Sequence, residues 1–464
     1  MTARTIRPNS PAARDIASVL HPYTNLRMHQ STGPLIIERG EGVRVYDDDG
    51  KEYIEAMAGL WCTALGFGEE RLVEAAAQEM RRLPFYHHFT HKSHNAGIDL
   101  AERLIEMAPV PMSKVFFANS GSEANDSAAK LVWYVNNALG RPEKKKIISR
   151  VKGYHGVTIA SASLTGLPKN HEDFDLPIAG ILHADCPHYY RFAEDGESEE
   201  EFSDRLAANL EALIEAEGPE TVAGFIAEPV MGAGGVIVPP RTYFDKIQKV
   251  LRRHDVLFIA DEVICGFGRT GNMWGSQTYD LKPDMITMAK ALTSAYLPMS
   301  ALMVSAPIYD ALVTESEKVG TFAHGFTYSG HPVPAAVAME TMRIYQERDI
   351  VGQVRGVMGR FQERLNGFAD HDLVGETRGV GLIGGIELVA NKKTKASFDP
   401  QGRVGAQCSK FAEGHGLITR AIMDTLAFSP PLIITADEID EIFDRFGKAL
   451  DETKDWVARE GLGA

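Results

Sequence analysis

The stretch Val256 to Gly271, VLFIADEVICGFGRTG, opens as an apolar run and stops on two acids, Asp261 and Glu262. A short apolar run with turn chemistry behind it predicts a buried strand of an α/β sheet. Open α/β sheets bind ligands at the carboxyl ends of their strands, so acids at that end mark a ligand edge. A second run, Met285-Ile286-Thr287-Met288-Ala289-Lys290, closes on a lone lysine and predicts another strand that brings an amine to the same edge.

Composition narrows the classes of function. The chain has 464 residues, 44% of them apolar, enough to bury a large core, and its length suggests two or three domains. A net charge of −15 with no basic tail argues against nucleic acid or an anionic membrane surface as partner and favours small-molecule chemistry. Cys62, Cys186, Cys265 and Cys408 are scattered without CxxC spacing, so neither a disulfide framework nor a zinc ribbon is expected, and a reducing cytoplasm fits. No apolar run approaches a membrane span. The N-terminus, with Arg4, Arg7, Arg14 and Asp15, lacks the apolar core of a signal peptide, and a transit peptide is the weakly supported alternative.

Residues 1–34 are weakly periodic and read as an arm that lies on another surface, such as a partner subunit. From Leu35, alternating residues broken by Gly40-Glu41-Gly42 and Asp47-Asp48-Asp49-Gly50 predict short antiparallel strands. Helical spacing runs from Arg71 to Leu83 and stops at Pro84. After the strand candidate Val115 to Ala118, the run Asn119 to Asn125 enters a helix. Its Ser120-Gly121-Ser122 turn leaves backbone N–H groups free for a phosphate. The same residues also suit an ordinary Ser-capped helix with Glu three positions on. Strand and helix patterns then alternate through Ile147-Ile148-Ser149, Ile181-Leu182-His183 and Phe225 to Pro229, which implies parallel βα units. Beyond Gly330 the spacing predicts helices over 334–348 and 351–369, a strand pair near 379–389 and a C-terminal helix over 436–457. The expected division is an arm and part of a small domain over 1–60, a large domain over 61–335 and a smaller α+β domain over 336–464.

Three motifs suggest competing chemistries. His87, His88, His91 and His94 lie close together, yet without a compact zinc pattern or an acidic partner they read as a pocket wall rather than a metal site. Gly266 to Gly271 and Gly379 to Gly384 both match dinucleotide-binding spacing. The first continues into Asn272-Met273-Trp274-Gly275 and the second into the strand-like Ile386 to Val389, so neither is expected to open a helix around a nucleotide.

An acid at Asp261, a lysine at Lys290, an aromatic ring at Tyr154 and a phosphate cradle at one sheet edge form a set that pyridoxal phosphate requires: a Schiff-base amine, a carboxylate on the ring nitrogen, a flanking ring and an anion site. Asp261 would favour the protonated ring nitrogen, because an adjacent carboxylate favours the charged form. Lys290, once released, is positioned to carry protons as base and acid.

With these residues assembled, the sequence resembles the class III pyridoxal-phosphate aminotransferases of fold type I, in particular the amine:pyruvate (ω-) transaminases. The likeness runs from about His21 to Leu450. It is carried by Gly59-Leu60-Trp61-Cys62, Asn119 to Asp126, Gly153-Tyr154-His155-Gly156, Ala227-Glu228-Pro229-Val230, Ala260 to Gly271, Ala289-Lys290, Thr327 to Pro332 and Phe428 to Leu432. The resemblance implies a large, mostly parallel-sheet domain with a smaller α+β domain. It implies Lys290 as the Schiff-base lysine, Asp261 as the ring-nitrogen partner, and Tyr154 and Val263 on the two ring faces. Ser120, Gly121 and Ser122 would take the phosphate, with Glu228 also a cofactor contact, and Thr327 would reach the phosphate of a neighbouring subunit in a homodimer. Trp61, Tyr154, Phe89 and Ala233 would line the substrate pocket, Phe89 from across the interface. Arg420 would swing in to bind a substrate carboxylate and out to admit an uncharged amine.

Ornithine- and GABA-type relatives resemble this pattern but carry a Glu five residues after the Glu of the Glu-Pro motif, where this chain has Ala233. That difference implies a small, apolar pocket and an amine donor with pyruvate as acceptor. The expected protein is therefore a cytoplasmic, homodimeric transaminase, with pairing into tetramers left open. The alternatives are an ω-amino acid transaminase acting on β-alanine, taurine, putrescine or 4-aminobutyrate, or an aminomutase or decarboxylase on the same scaffold.

Overall fold

The computed structural model describes residues 6–462. Its centre is a seven-stranded sheet in the order Lys114–Ala118, Ser300–Val304, Met285–Met288, Leu257–Asp261, Val222–Ala227, Lys146–Arg150 and Ile181–Ala184. From Met285–Met288 to Ile181–Ala184 all neighbours are parallel, while Ser300–Val304 runs antiparallel to both of its neighbours. The sheet is thus mostly parallel, as expected. Val222–Ala227 and Met285–Met288 are buried along their whole length, the state that continuous apolar runs require under helices on both faces. Side-chain alternation divides the core: Phe225 and Phe258 pack on one face with Phe244, and Ile226 and Ile259 on the other with Leu131 and Val132 of the helix Gly121–Ala138.

Two four-stranded sheets flank this core. The first is the expected antiparallel meander, Ile37–Glu41, Arg44–Asp47 and Glu52–Glu55, to which Leu417–Ile418 adds a parallel strand. The two halves of the chain therefore share a sheet. The second joins Val374–Val380, Ile383–Leu388, Thr425–Phe428 and Arg420–Ile422, all antiparallel. The helices Pro332–Glu347, Ile350–Asn366 and Ala436–Glu460 match the predicted ones to within a few residues. The first starts earlier than expected because Pro332 occupies the first turn, where a missing N–H costs nothing, behind the His331 cap.

Both glycine-rich matches are turns. Gly266 to Gly271 folds back on itself, with Gly266 N–H on the Glu262 carbonyl at 2.9 Å and Gly271 N–H on the Gly268 carbonyl at 2.9 Å. Gly379 to Gly384 connects two antiparallel strands. In the N-terminal arm, whose residues 1–5 lie outside the described part, the helices Pro11–Ser18 and Leu26–Thr32 bury no residue. They leave Leu20, Tyr23, Leu26 and Met28 exposed. Among the described residues, no helix is long and apolar enough to cross a membrane.

Candidate active site

The carboxyl ends of the central strands open into a cleft of about 200 Å³. Asp261 is the last residue of its strand, and period-two alternation sends its side chain and that of Glu262 in opposite directions. Asp261 lines the cleft. Its Oδ2 accepts from Asn125 Nδ2 and His155 Nδ1, each at 2.8 Å, and its Oδ1 accepts from Val263 N–H at 3.1 Å.

Glu262 turns away from the cleft and is buried, accepting from Gly275 N–H at 2.9 Å, from Ser276 N–H at 2.5 Å and from Ser276 Oγ at 2.6 Å. Burial pushes its carboxyl up to about 7. The folded chain then keeps a proton that the unfolded chain releases between about pH 4.5 and 7, so this group lowers stability as pH rises through that window. Glu262→Gln is expected to remove about 2–3 kcal/mol of that pH dependence while lowering stability overall, because an amide mismatches the three donors. Urea denaturation at pH 5 and pH 8 measures it, and an unchanged difference between the two would refute the assignment.

Lys290 follows Met285–Met288 and lines the cleft near Asp261. Its φ of +50° is uncommon for a residue with a side chain and is a form of strain found where backbone serves a site. Burial pulls its ammonium below the ordinary lysine range, opposed by Cys62, Asp261 and Glu228.

Gly121 and Ser122 open the helix Gly121–Ala138 and line the cleft. As the first residues of a helix, their N–H groups have no intrahelical acceptor. Ser120 stands back from the cleft lining: its Oγ accepts from Glu123 N–H at 3.2 Å, the capping role. Gly156 closes the other side, where a Cβ would stand 2.4 Å from Ser122 Oγ. Val263 packs on Gly121, at 3.2 Å from where a Cβ would be.

Tyr154, Glu228, Trp61, Ala233 and Arg420 complete the predicted residues that converge here. Glu228 has both oxygens engaged by backbone, accepting from Tyr154 N–H and Gly232 N–H at 3.0 Å each, so it shapes the two loops that carry Tyr154 and Ala233. Burial, and then a hydrogen bond with Tyr23, push the Tyr154 phenol up. Trp61 has φ +64° and a buried indole N–H with no partner among the described residues. Arg420 starts its short strand opposite Ala427 and, among the described residues, has no carboxylate partner.

Phe89 and Thr327 do not join this cleft. Phe89 is exposed and lines a separate cavity with His88, Phe116, Phe117 and His324, and Thr327 is exposed on the adjoining loop. The histidine stretch serves structure there: His94 caps the helix Asn95–Met107 through Nδ1, and its Nε2 lies 2.7 Å from the Gly330 carbonyl and 2.9 Å from His88 Nε2. The residues that sequence reasoning did not single out are Asn125, His155 and Tyr23. Asn125 is an amide buried on an Ala-rich helix face, a signal that is readable in the sequence; Tyr23 reaches in from the arm with no local signal at all.

This donor set fits a phosphorylated pyridine aldehyde: a buried carboxylate held by two side-chain donors, a buried lysine amine, helix-start N–H groups without an intrahelical acceptor, and Val263 on the cleft wall. Comparison with known proteins agrees. The description "Aminotransferase class-III" matches residues 27–450. The chain is 55% identical over 441 residues to gamma-aminobutyrate transaminase 1, mitochondrial, of Oryza sativa subsp. japonica, covering 95% of this chain and 86% of that protein. It is 53% identical over 440 residues to gamma aminobutyrate transaminase 3, chloroplastic, of Solanum lycopersicum, covering 95% and 85%. The solved omega transaminase from Pseudomonas jessenii in complex with PMP superposes with a TM-score of 0.96 at 58% identity, over 97% of this chain and 99% of that one. The chain belongs to the class-III aminotransferase family, with the fold type I architecture, and is a transaminase whose cofactor is pyridoxal 5'-phosphate.

Proposed function

We propose that this transaminase takes nitrogen from an amine or ω-amino compound and gives it to an oxo acid, pyruvate, in two half-reactions. The observation that carries this reading is the pairing, in one cleft, of Ala233 with an Arg420 that has no carboxylate partner among the described residues. A small apolar wall admits an uncharged substituent, while a guanidinium on a long stem binds a carboxylate bidentately when one arrives. The names of the rice and tomato relatives make 4-aminobutyrate the first donor to test.

Bound pyridoxal phosphate supplies an electron sink for the substrate carbon. Lys290 holds the cofactor and, when released, moves the proton at the substrate carbon. Asp261 keeps the ring nitrogen protonated, and Tyr154 and Val263 flank the ring. Gly121 and Ser122 hold the phosphate through backbone N–H groups, Ser120 caps the helix that presents them, and Glu228 fixes the surrounding loops. Trp61 forms part of the substrate wall. In this reading a second copy of the chain brings Phe89 and Thr327 to the cleft, so the active unit is a homodimer. Residues 61–335 form the cofactor-binding domain, with 1–60 and 336–464 forming the arm and the small domain. The four free thiols fit a reducing compartment, and the cytoplasm is the one proposed, which cell fractionation tests.

The decisive experiment mixes the holoenzyme with 4-aminobutyrate, β-alanine, taurine, putrescine and 1-phenylethylamine in turn, without acceptor, and follows loss of the cofactor's visible absorbance. Pyruvate is expected to restore it; restoration by 2-oxoglutarate alone would refute the acceptor. Arg420→Ala is expected to lower kcat/KM for pyruvate by about 10–100-fold, the worth of a charge-assisted bidentate pair, and to change that for 1-phenylethylamine far less. Equal losses would remove the switching role.

A further inference from the structure

The loop 231–237 is the part of the cleft wall that carries Ala233. Its base is closed by Met231 N–H on the Ile237 carbonyl at 3.1 Å and the reverse bond at 2.9 Å. Within it the backbone is strained: Val236 has φ +53°, beside Gly235 at +117°. A left-handed φ at a β-branched residue is a genuine outlier and persists only where the surroundings over-determine it.

The turn holds itself in part through Gly235 N–H and Val236 N–H on the Gly232 carbonyl at 3.1 and 3.0 Å, and its carbonyl side meets Arg378, a buried residue of Val374–Val380 that does not itself line the cleft. Its Nε donates to the carbonyls of Gly235 at 3.1 Å and Val236 at 3.0 Å. Its Nη2 donates to the Gly235 carbonyl at 2.6 Å and to Thr425 Oγ at 3.2 Å. On the far side Nη1 donates to Glu376 at 2.5 Å and Glu387 at 2.6 Å, so the guanidinium sits between two carboxylates. Thr425 begins the strand Thr425–Phe428, which pairs with the strand that starts at Arg420. One planar group therefore spans the loop of Ala233 and the strand pair of Arg420.

We propose that Arg378 is a positioning residue that sets the width of the substrate pocket by clamping the strained loop 231–237. Selectivity between small and bulky amines then depends on a side chain outside the cleft. The inference rests on reading this cleft as the amine pocket. Lysine cannot replace the clamp, because a point charge lacks the fork that reaches both carbonyls and both carboxylates.

The test compares wild type, Arg378→Lys and the double variant Arg378→Lys/Val236→Gly, with isopropylamine and 1-phenylethylamine as donors to pyruvate. Arg378→Lys is expected to keep the cofactor's visible absorbance and to shift the kcat/KM ratio toward the bulky amine by about tenfold. Val236→Gly should return the ratio toward the wild-type value, since glycine takes a left-handed φ without a clamp. A ratio that stays within about twofold while only the melting temperature falls is the signature of a purely structural arginine and overturns the proposal. So does a shift that Val236→Gly leaves in place. Should Arg378→Lys fail to fold, Glu387→Gln, which weakens one anchor, must shift the ratio in the same direction. Wild-type turnover of neither amine would count against the substrate reading alone, and the ratio for 4-aminobutyrate over β-alanine then tests the clamp.

Discussion

Lys290→Ala is expected to lower turnover by at least about 10⁴-fold, while cofactor still enters the cleft. Two losses combine. The variant lacks the amine that holds the cofactor, and it lacks the base that moves the proton at the substrate carbon. The environment prepares Lys290 for both tasks. Burial disfavours its charged form, while Cys62, Asp261 and Glu228 limit the depression. Its φ of +50° fixes the direction in which the side chain leaves the strand end. The contacts that retain cofactor, Asp261 and the helix start at Gly121, are untouched by the substitution. The measurement is kcat with an amine and pyruvate, beside cofactor content after gel filtration. Turnover near the wild-type rate would refute the role of Lys290, and loss of cofactor together with activity would show that the other contacts do not suffice to hold it.

Lys290 and Asp261 are legible in the sequence because each closes a mostly apolar run. An ionisable group at the end of a buried strand carries a desolvation cost, and a ligand edge is where that cost is offset. Alternation explains why Asp261 and not Glu262 faces the cleft, since adjacent strand residues point to opposite faces. Other features leave no local trace. Ser300–Val304 reads as one more apolar run, and nothing in its composition encodes that it runs against its neighbours. Leu417–Ile418 joins Glu52–Glu55 from the opposite end of the chain, a pairing fixed by tertiary packing rather than by pattern. Phe89 and Thr327 enter the expected site through resemblance alone; within one chain Phe89 lines a second cavity and Thr327 is exposed on the loop beside it. The glycine-rich matches fail on context, because a nucleotide loop must open a helix and these are followed by turn and strand chemistry. The Arg378 clamp is invisible in sequence, as an arginine two residues after Glu376 in a strand looks like any exposed charged edge, and its other carboxylate partner, Glu387, comes from the neighbouring strand.

Asp261→Asn is expected to cut kcat/KM by about 10²–10³-fold, the scale seen when one preorganised electrostatic group is removed from a water-poor site. The substitution conserves shape and removes charge. Asp261 accepts from Asn125 and His155 on one oxygen and from Val263 N–H on the other. Two of those donors come from residues 136 and 106 positions away, and both fix the carboxylate's rotation at the strand end. An asparagine can offer only one oxygen to this set, so its amide either turns an N–H toward a donor or leaves the cleft side without a negative charge. In both cases the ring nitrogen loses the partner that favours its protonated form. A cofactor methylated on the ring nitrogen, positively charged whatever its partner, separates charge from packing. Reconstituting Asp261→Asn with it should recover a measurable part of the lost rate, and the same cofactor should not help wild type. Recovery in neither protein would mean that Asp261 acts through packing. By the same logic His155→Phe, which keeps a ring but deletes the donor at 2.8 Å, should reproduce a fraction of the Asp261→Asn loss and respond to the methylated cofactor in the same direction.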